Sequence, residues 1–183
     1  MSTDLAYLMA IRVQGFTHPD RVAVGAGVDI PAATSALDDY LSGGLIRETK
    51  LGFKMTEAGL ERLEVLLTDE NLKDSGDLLE AYERFLLVDP KVKILSSEWQ
   101  EHNDESVIYR LIDIHARASN VLQRINVAAP RYAPYQTRLD GCVARLEAGD
   151  KDAFTKAATE SYHQVWWELH TDLLHTLGLE RED

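Results

Sequence analysis

VAVGAGVDIPAATSALDDYLSGGLIRE (22–48), followed by TKLGFKMTEAG (49–59), carries an ordered series of helix, turn and strand signals. Asp29-Ile30-Pro31 opens a helix, because an aspartate caps a first turn and proline fits only at its start. Through PAATSALDDYLSGG, Ala33, Leu37, Tyr40 and Leu41 recur at helical spacing and are expected to face inward, and Gly43-Gly44 ends the helix. LIRET and FKMT read as short strands joined by the turn Lys50-Leu51-Gly52. Thr56-Glu57-Ala58-Gly59 then begins a helix carrying Leu60, Leu63 and Leu67.

Upstream, DLAYLMAIRV (4–13) forms a first helix. Thr17-His18-Pro19-Asp20 starts a short second one, with Thr17 as N-cap, which ends at glycines. Downstream, TDENLKDSGD (68–77) is polar and acidic and reads as a joint. The chain is therefore expected to hold a compact head, 1–70, and a helical body, 71–183.

Four helices can be read in the body. Leu78, Leu79, Tyr82, Phe85 and Leu86 mark the first, which Pro90 interrupts or ends, and Val92, Ile94, Leu95 and Trp99 continue the apolar pattern. Ile108, Leu111, His115, Ala118, Leu122 and Ile125 mark the second, which Pro130 stops. Tyr135, Leu139, Cys142 and Leu146 give the third, closed by Gly149. The fourth is expected from Asp152 to Leu177. Phe154, Ala158, Tyr162, Val165, Trp166, Leu169 and Leu173 form one stripe on it, and His163, Trp167, His170, Leu174 and Leu177 form the next. A helix apolar on two sides belongs inside a bundle or at a dimer interface.

Taken in order, the residues of 22–59 resemble winged helix-turn-helix regulators of the MarR-like and PadR-like type. Those have an alanine on the second helix, a glycine-containing turn, a Gly-Leu entry into the wing and a Thr-x-x-Gly helix start. The run SYHQVWWELHTDLLHTLGLER (161–181) likewise resembles the last helix of actinobacterial winged-helix regulators. The resemblance implies a mainly α chain with an N-terminal winged helix-turn-helix, a two-stranded β-wing and a C-terminal helical bundle domain. It also implies a transcriptional regulator: a ligand-responsive homodimeric repressor that binds double-stranded DNA.

Charge bears on that implication. The chain has 183 residues and a formal net charge of −12. Residues 1–65 hold six basic and nine acidic side chains, so −9 of the total falls on the remainder. Such acidity excludes a broad nucleic-acid coat and leaves room for a small contact. Outward positions of the reading helix would be Ala32, Thr34, Ser35, Asp38 and Asp39. Thr34 and Ser35 can donate hydrogen bonds and Ala32 can meet a thymine methyl, whereas the aspartates repel phosphate. Arg47, Lys50 and Lys54 on the ribbon are the better candidates for DNA contact. The alternative is a winged-helix adaptor that binds a protein partner without DNA.

In the body, Arg117, Arg131, Tyr132, Tyr135 and Arg138 are candidates, with His163, Trp166, Trp167 and His170, for lining a pocket. It would take a small acidic or aromatic effector. The competing reading is that these rings fill the gaps between helices. His163 and His170 are seven residues apart, about 10 Å along a helix, too far to share one metal. Glu168 and Asp172 would need a third ligand from another helix. His115 is expected as a hydrogen-bonded core histidine, and Asp113 with Arg117 as a surface pair. No cofactor, metal or catalytic activity is expected: Gly25-Ala26-Gly27 lacks the third glycine of a dinucleotide loop, and Gly-x-Ser-x-Gly is absent.

A hydrophobic fraction of 45% rules out disorder over most of the chain. The single cysteine, Cys142, excludes a disulfide framework. MSTDLAYLMAIRVQGF lacks a basic n-region, and no apolar run reaches the roughly 18 residues of a membrane span, so a cytoplasmic protein without membrane contact is expected.

Overall fold

The computed structural model describes residues 3–156 and 160–180. The chain is mainly helical with one two-stranded antiparallel sheet. It divides into two compact units, Met1–Asp74 with Leu174–Asp183, and Ser75–Leu173. Among the described residues no helix is long and apolar enough to cross a membrane.

In the first unit the order is α1 (Thr3–Gln14), α2 (Pro19–Ala26), α3 (Ile30–Ser42), β1 (Ile46–Thr49), β2 (Gly52–Met55) and α4 (Glu57–Glu70). Its core joins Leu5, Leu8 and Ile11 of α1 to Val22, Leu37, Ile46 and Leu63. Each such side chain stabilises the unit by roughly 1.5–3 kcal/mol through burial. Asp29 caps α3, its carboxylate accepting from the Ala32 amide at 2.8 Å. Leu41, expected to face inward, is exposed; on α4 Leu60 is exposed as well, and Leu66 is buried beside Leu63 and Leu67.

Thr17 is not the cap of α2. His18 holds that position without a side-chain bond, and Thr17 is fully buried as a one-residue strand. Its amide donates to the Phe53 carbonyl at 3.0 Å, and the Phe53 amide donates back at 2.8 Å. A β-bridge to a distant residue outcompetes the local cap because it satisfies two backbone groups at once.

The second unit holds α5 (Gly76–Leu86), α6 (Asp89–His102), α7 (Glu105–Ala128), a 3₁₀ turn (Pro130–Tyr132), α8 (Ala133–Glu147), α9 (Asp152–Thr155) and α10 (Tyr162–Leu177) through Leu173. Pro90 sits in the first turn of α6, where its missing N–H costs nothing. Leu79, Leu86 and Ile94, part of the apolar pattern that marks these helices, are exposed. Rings of Tyr82, Phe85, Trp166 and Tyr162 stack in succession, Phe85 on Trp166 at 4.7 Å.

The expected single helix over 152–177 is two. Lys156 is extended, and Ala158 lies outside the described residues. Beyond it, Glu160 is held by tertiary bonds: Arg138 Nε donates to its carboxylate at 3.0 Å, and Arg145 Nη1 to its carbonyl at 2.7 Å. Those bonds hold Glu160 outside the helix, a tertiary effect that local periodicity does not register.

Candidate functional site

Two groups of side chains carry chemistry, one in each unit. In the first, the β1–β2 register places Arg47 directly opposite Lys54, with Lys50 at the turn. Arg47 and Lys50 are exposed. Lys54 is half-buried, its ammonium 5.0 Å from the Phe16 ring centre, a cation–π contact that holds it in place. Like charges facing across a strand pair repel, so this ribbon holds two cations together at an energetic cost.

Close approach fixes the ribbon on its neighbours. Gly52 has φ +108°, and a Cβ there would fall 2.4 Å from the Thr17 carbonyl oxygen. At the ribbon's other end, Thr56 caps α4 by accepting from the Gly59 amide at 3.2 Å while its hydroxyl lies 2.7 Å from the Gly44 carbonyl. The spacing Thr-x-x-Gly thus has two physical uses: a cap, and a bare α-carbon against the Leu45 carbonyl.

The α3 face is a poorer surface for an anion. Thr34 and Ser35 are exposed and Ala32 is half-buried. The Thr34 hydroxyl donates to the Ile30 carbonyl at 2.9 Å, and Asp38 and Asp39 are exposed on the same helix.

In the second unit most of the predicted ligand residues converge, but on protein partners. Arg131 donates to both oxygens of Asp172 at 2.8 Å and to the Tyr132 hydroxyl at 2.9 Å. Tyr135 donates to Asp172 at 2.9 Å. Arg138 donates to Glu168 at 2.7 Å as well as to Glu160. Burial raises the Tyr135 phenol well above its ordinary range, and the Asp172 charge adds to this. Burial opposes the charge on Arg138, but Glu168 and Glu160 outweigh it and keep the guanidinium protonated.

A second cluster forms around Asp89. Trp166 Nε1 donates to Asp89 Oδ1 at 3.0 Å, Lys93 reaches Oδ2 at 2.8 Å, and His170 Nδ1 lies 3.5 Å away. Nε2 of His170 is 3.2 Å from the Tyr82 hydroxyl. His115 is bonded as expected, with Nδ1 3.1 Å from the Tyr162 hydroxyl and Nε2 2.9 Å from Asp140. Three of the predicted ligand residues stand apart: Arg117 and Trp167 are exposed, and His163 is half-buried with its pKa lowered by desolvation.

Asp89 is the residue that sequence reasoning passed over, and Glu168 and Asp172, read there only as an incomplete ion site, are instead the partners of Arg138 and Arg131. The signal available was two carboxylates, four apart, on a helix apolar on two sides, a placement that demands buried cations. The guanidiniums of Arg138 and Arg131 supply them, which leaves those carboxylates neutralised by protein. Among the described residues no three His, Cys, Asp or Glu side chains gather as a metal site would.

No family model, curated protein or solved structure matches this chain.

Proposed function

We propose that the first unit is a winged helix-turn-helix that binds double-stranded DNA through its ribbon, within a homodimeric, ligand-responsive transcriptional repressor. One observation carries the reading: Arg47 and Lys54 face each other across the ribbon with Lys50 at its tip. A phosphate between the two cations turns their repulsion into two charge-assisted bonds. The bridge of Thr17 to Phe53 supports the same reading, since it anchors the ribbon to the start of α2 as a wing requires. α3 contributes Thr34, Ser35 and Ala32 between acidic neighbours, so sequence selectivity on this reading is modest and the wing leads. A second copy doubles the wings. The expected effector falls to the second unit.

Salt titration of binding to DNA fragments from a pooled genomic selection tests this. The dissociation constant should rise steeply with salt, and Arg47→Ala or Lys50→Ala should each flatten the log–log slope by about one. Failure to shift any fragment at low salt would sink the proposal.

An adaptor remains the second reading because Val24 and Ile30, 45% and 53% exposed, put apolar surface near the acidic α3. It predicts a co-purifying protein that is lost when Asp38 and Asp39 are both replaced by lysine.

A further inference from the structure

Inside the second unit, the first turns of α5 and the last turns of α7 border an open cleft of about 530 Å³. Small side chains make it: Ala81 is buried and Ala128 half-buried, where larger residues would fill the space. Asp77 and Glu80 line it from α5, three residues apart and so on one helix face. Asn120, Gln123 and Arg124 line it from α7. Glu80 is engaged by Arg84 at 2.9 Å. Asp77 and Arg124 form an ion pair neither with each other nor with another side chain among the described residues. A carboxylate and a guanidinium thus face one cleft from opposite walls, beyond bonding distance of each other.

We infer that this cleft binds a small extended zwitterion of the ω-amino acid class. Its ammonium lies against Asp77 and Glu80, its carboxylate on Arg124, and Asn120 and Gln123 offer donors and acceptors alongside. The volume falls within the range of small-molecule sites. A ligand with one charge engages one wall only. The Arg131 and Arg138 cluster is unsuited to the role, because protein carboxylates already occupy both guanidiniums. The inference stands apart from DNA binding, and its test contains no DNA.

The test is calorimetric titration of the full-length chain with 6-aminohexanoate, with hexylamine and hexanoate as single-charge controls. Saturable one-site binding is expected for the zwitterion, and roughly tenfold weaker binding for either control. Arg124→Ala should bring 6-aminohexanoate down to the affinity of hexylamine. Asp77→Asn with Glu80→Gln should bring it down to that of hexanoate. The substituted side chains are exposed, and circular dichroism checks that the variants fold; the control ligands on the unaltered chain make the same comparison without any variant. Absence of saturation in the low-millimolar range, or equal affinity for all three ligands, overturns the inference.

Discussion

Arg131 and Asp172 are joined by two bonds of 2.8 Å, with side chains only 3% and 1% exposed. A buried pair of this kind is costly to break, because removing one partner leaves the other charge without its counter-ion in a medium that solvates it poorly. Asp172→Ala should therefore lose about 3–5 kcal/mol of unfolding free energy in urea. Replacing the group together, with Arg131→Met, Asp172→Leu and Tyr135→Phe, should recover most of that loss, since neither charge of the pair is then left buried alone. A loss below about 1 kcal/mol for Asp172→Ala would mean that water reaches the pair.

Two glycines should respond to alanine with opposite signs. At Gly59 a Cβ would meet the Leu45 carbonyl oxygen at 2.1 Å, so α4 or the ribbon must move, at a cost of about 1–3 kcal/mol or more. Gly141, in mid-α8, has nothing within 4 Å of an added Cβ. There alanine should stabilise the protein by about 0.5–1 kcal/mol through helix propensity. Thermal melts of the two variants against the parent chain check both signs.

Asp89 sets an acid limit. Burial alone would raise its carboxyl, but His170 and the bonds from Lys93 and Trp166 outweigh burial and hold it well below the ordinary 3.8. A depressed carboxyl contributes stability that is fully present above 3.8 and is lost as pH falls below that value. Asp89→Asn should be less stable at neutral pH, and its stability should decline less between pH 4 and 2 than the parent's. Parallel acid limbs in urea titrations of the two proteins would contradict this.

Elements whose signals are local were legible in the sequence. Pro31, Gly43-Gly44 and Thr56 each bias two or three residues around them, and α3, the ribbon and α4 follow in the expected order. What could not be read depends on distant partners. Thr17 looks like a cap until Phe53 is beside it, and Glu160 looks helical until Arg138 and Arg145 take hold of it. The same limit applied to the candidate effector residues. Arg131, Arg138 and Tyr135 group by residue type, but their counter-charges Asp172 and Glu168 lie 41 and 30 residues away on α10, and helix periodicity does not say which cation a buried carboxylate will meet.

Cys142 tests the second unit's integrity by chemistry. Burial pushes its thiol up to about 11, so little thiolate exists near neutral pH. Labelling by a disulfide reagent at pH 8 should be slow in the native protein and become fast across the urea unfolding transition. With a folded value raised above the unfolded one, stability is fully present below about 9 and declines as pH rises toward 11. Rapid labelling of the native chain would show that α8 opens locally.

Arg47→Glu should separate the ribbon's folding from its proposed use. In the free protein Arg47 and Lys54 repel across the strand pair, and the substitution converts that repulsion into attraction. Cross-strand pairs of this kind differ by about 0.2–1 kcal/mol, so the variant should unfold at slightly higher urea than the parent. Its DNA affinity at low salt should meanwhile collapse, because one phosphate-binding cation is lost and an anion is placed at the contact. Arg47→Ala should fall between the two proteins in both measurements. Only an anion-binding role predicts opposite signs for stability and affinity. If stability and affinity fell together, Arg47 would be supporting the fold, and the wing-led contact would lose its main support.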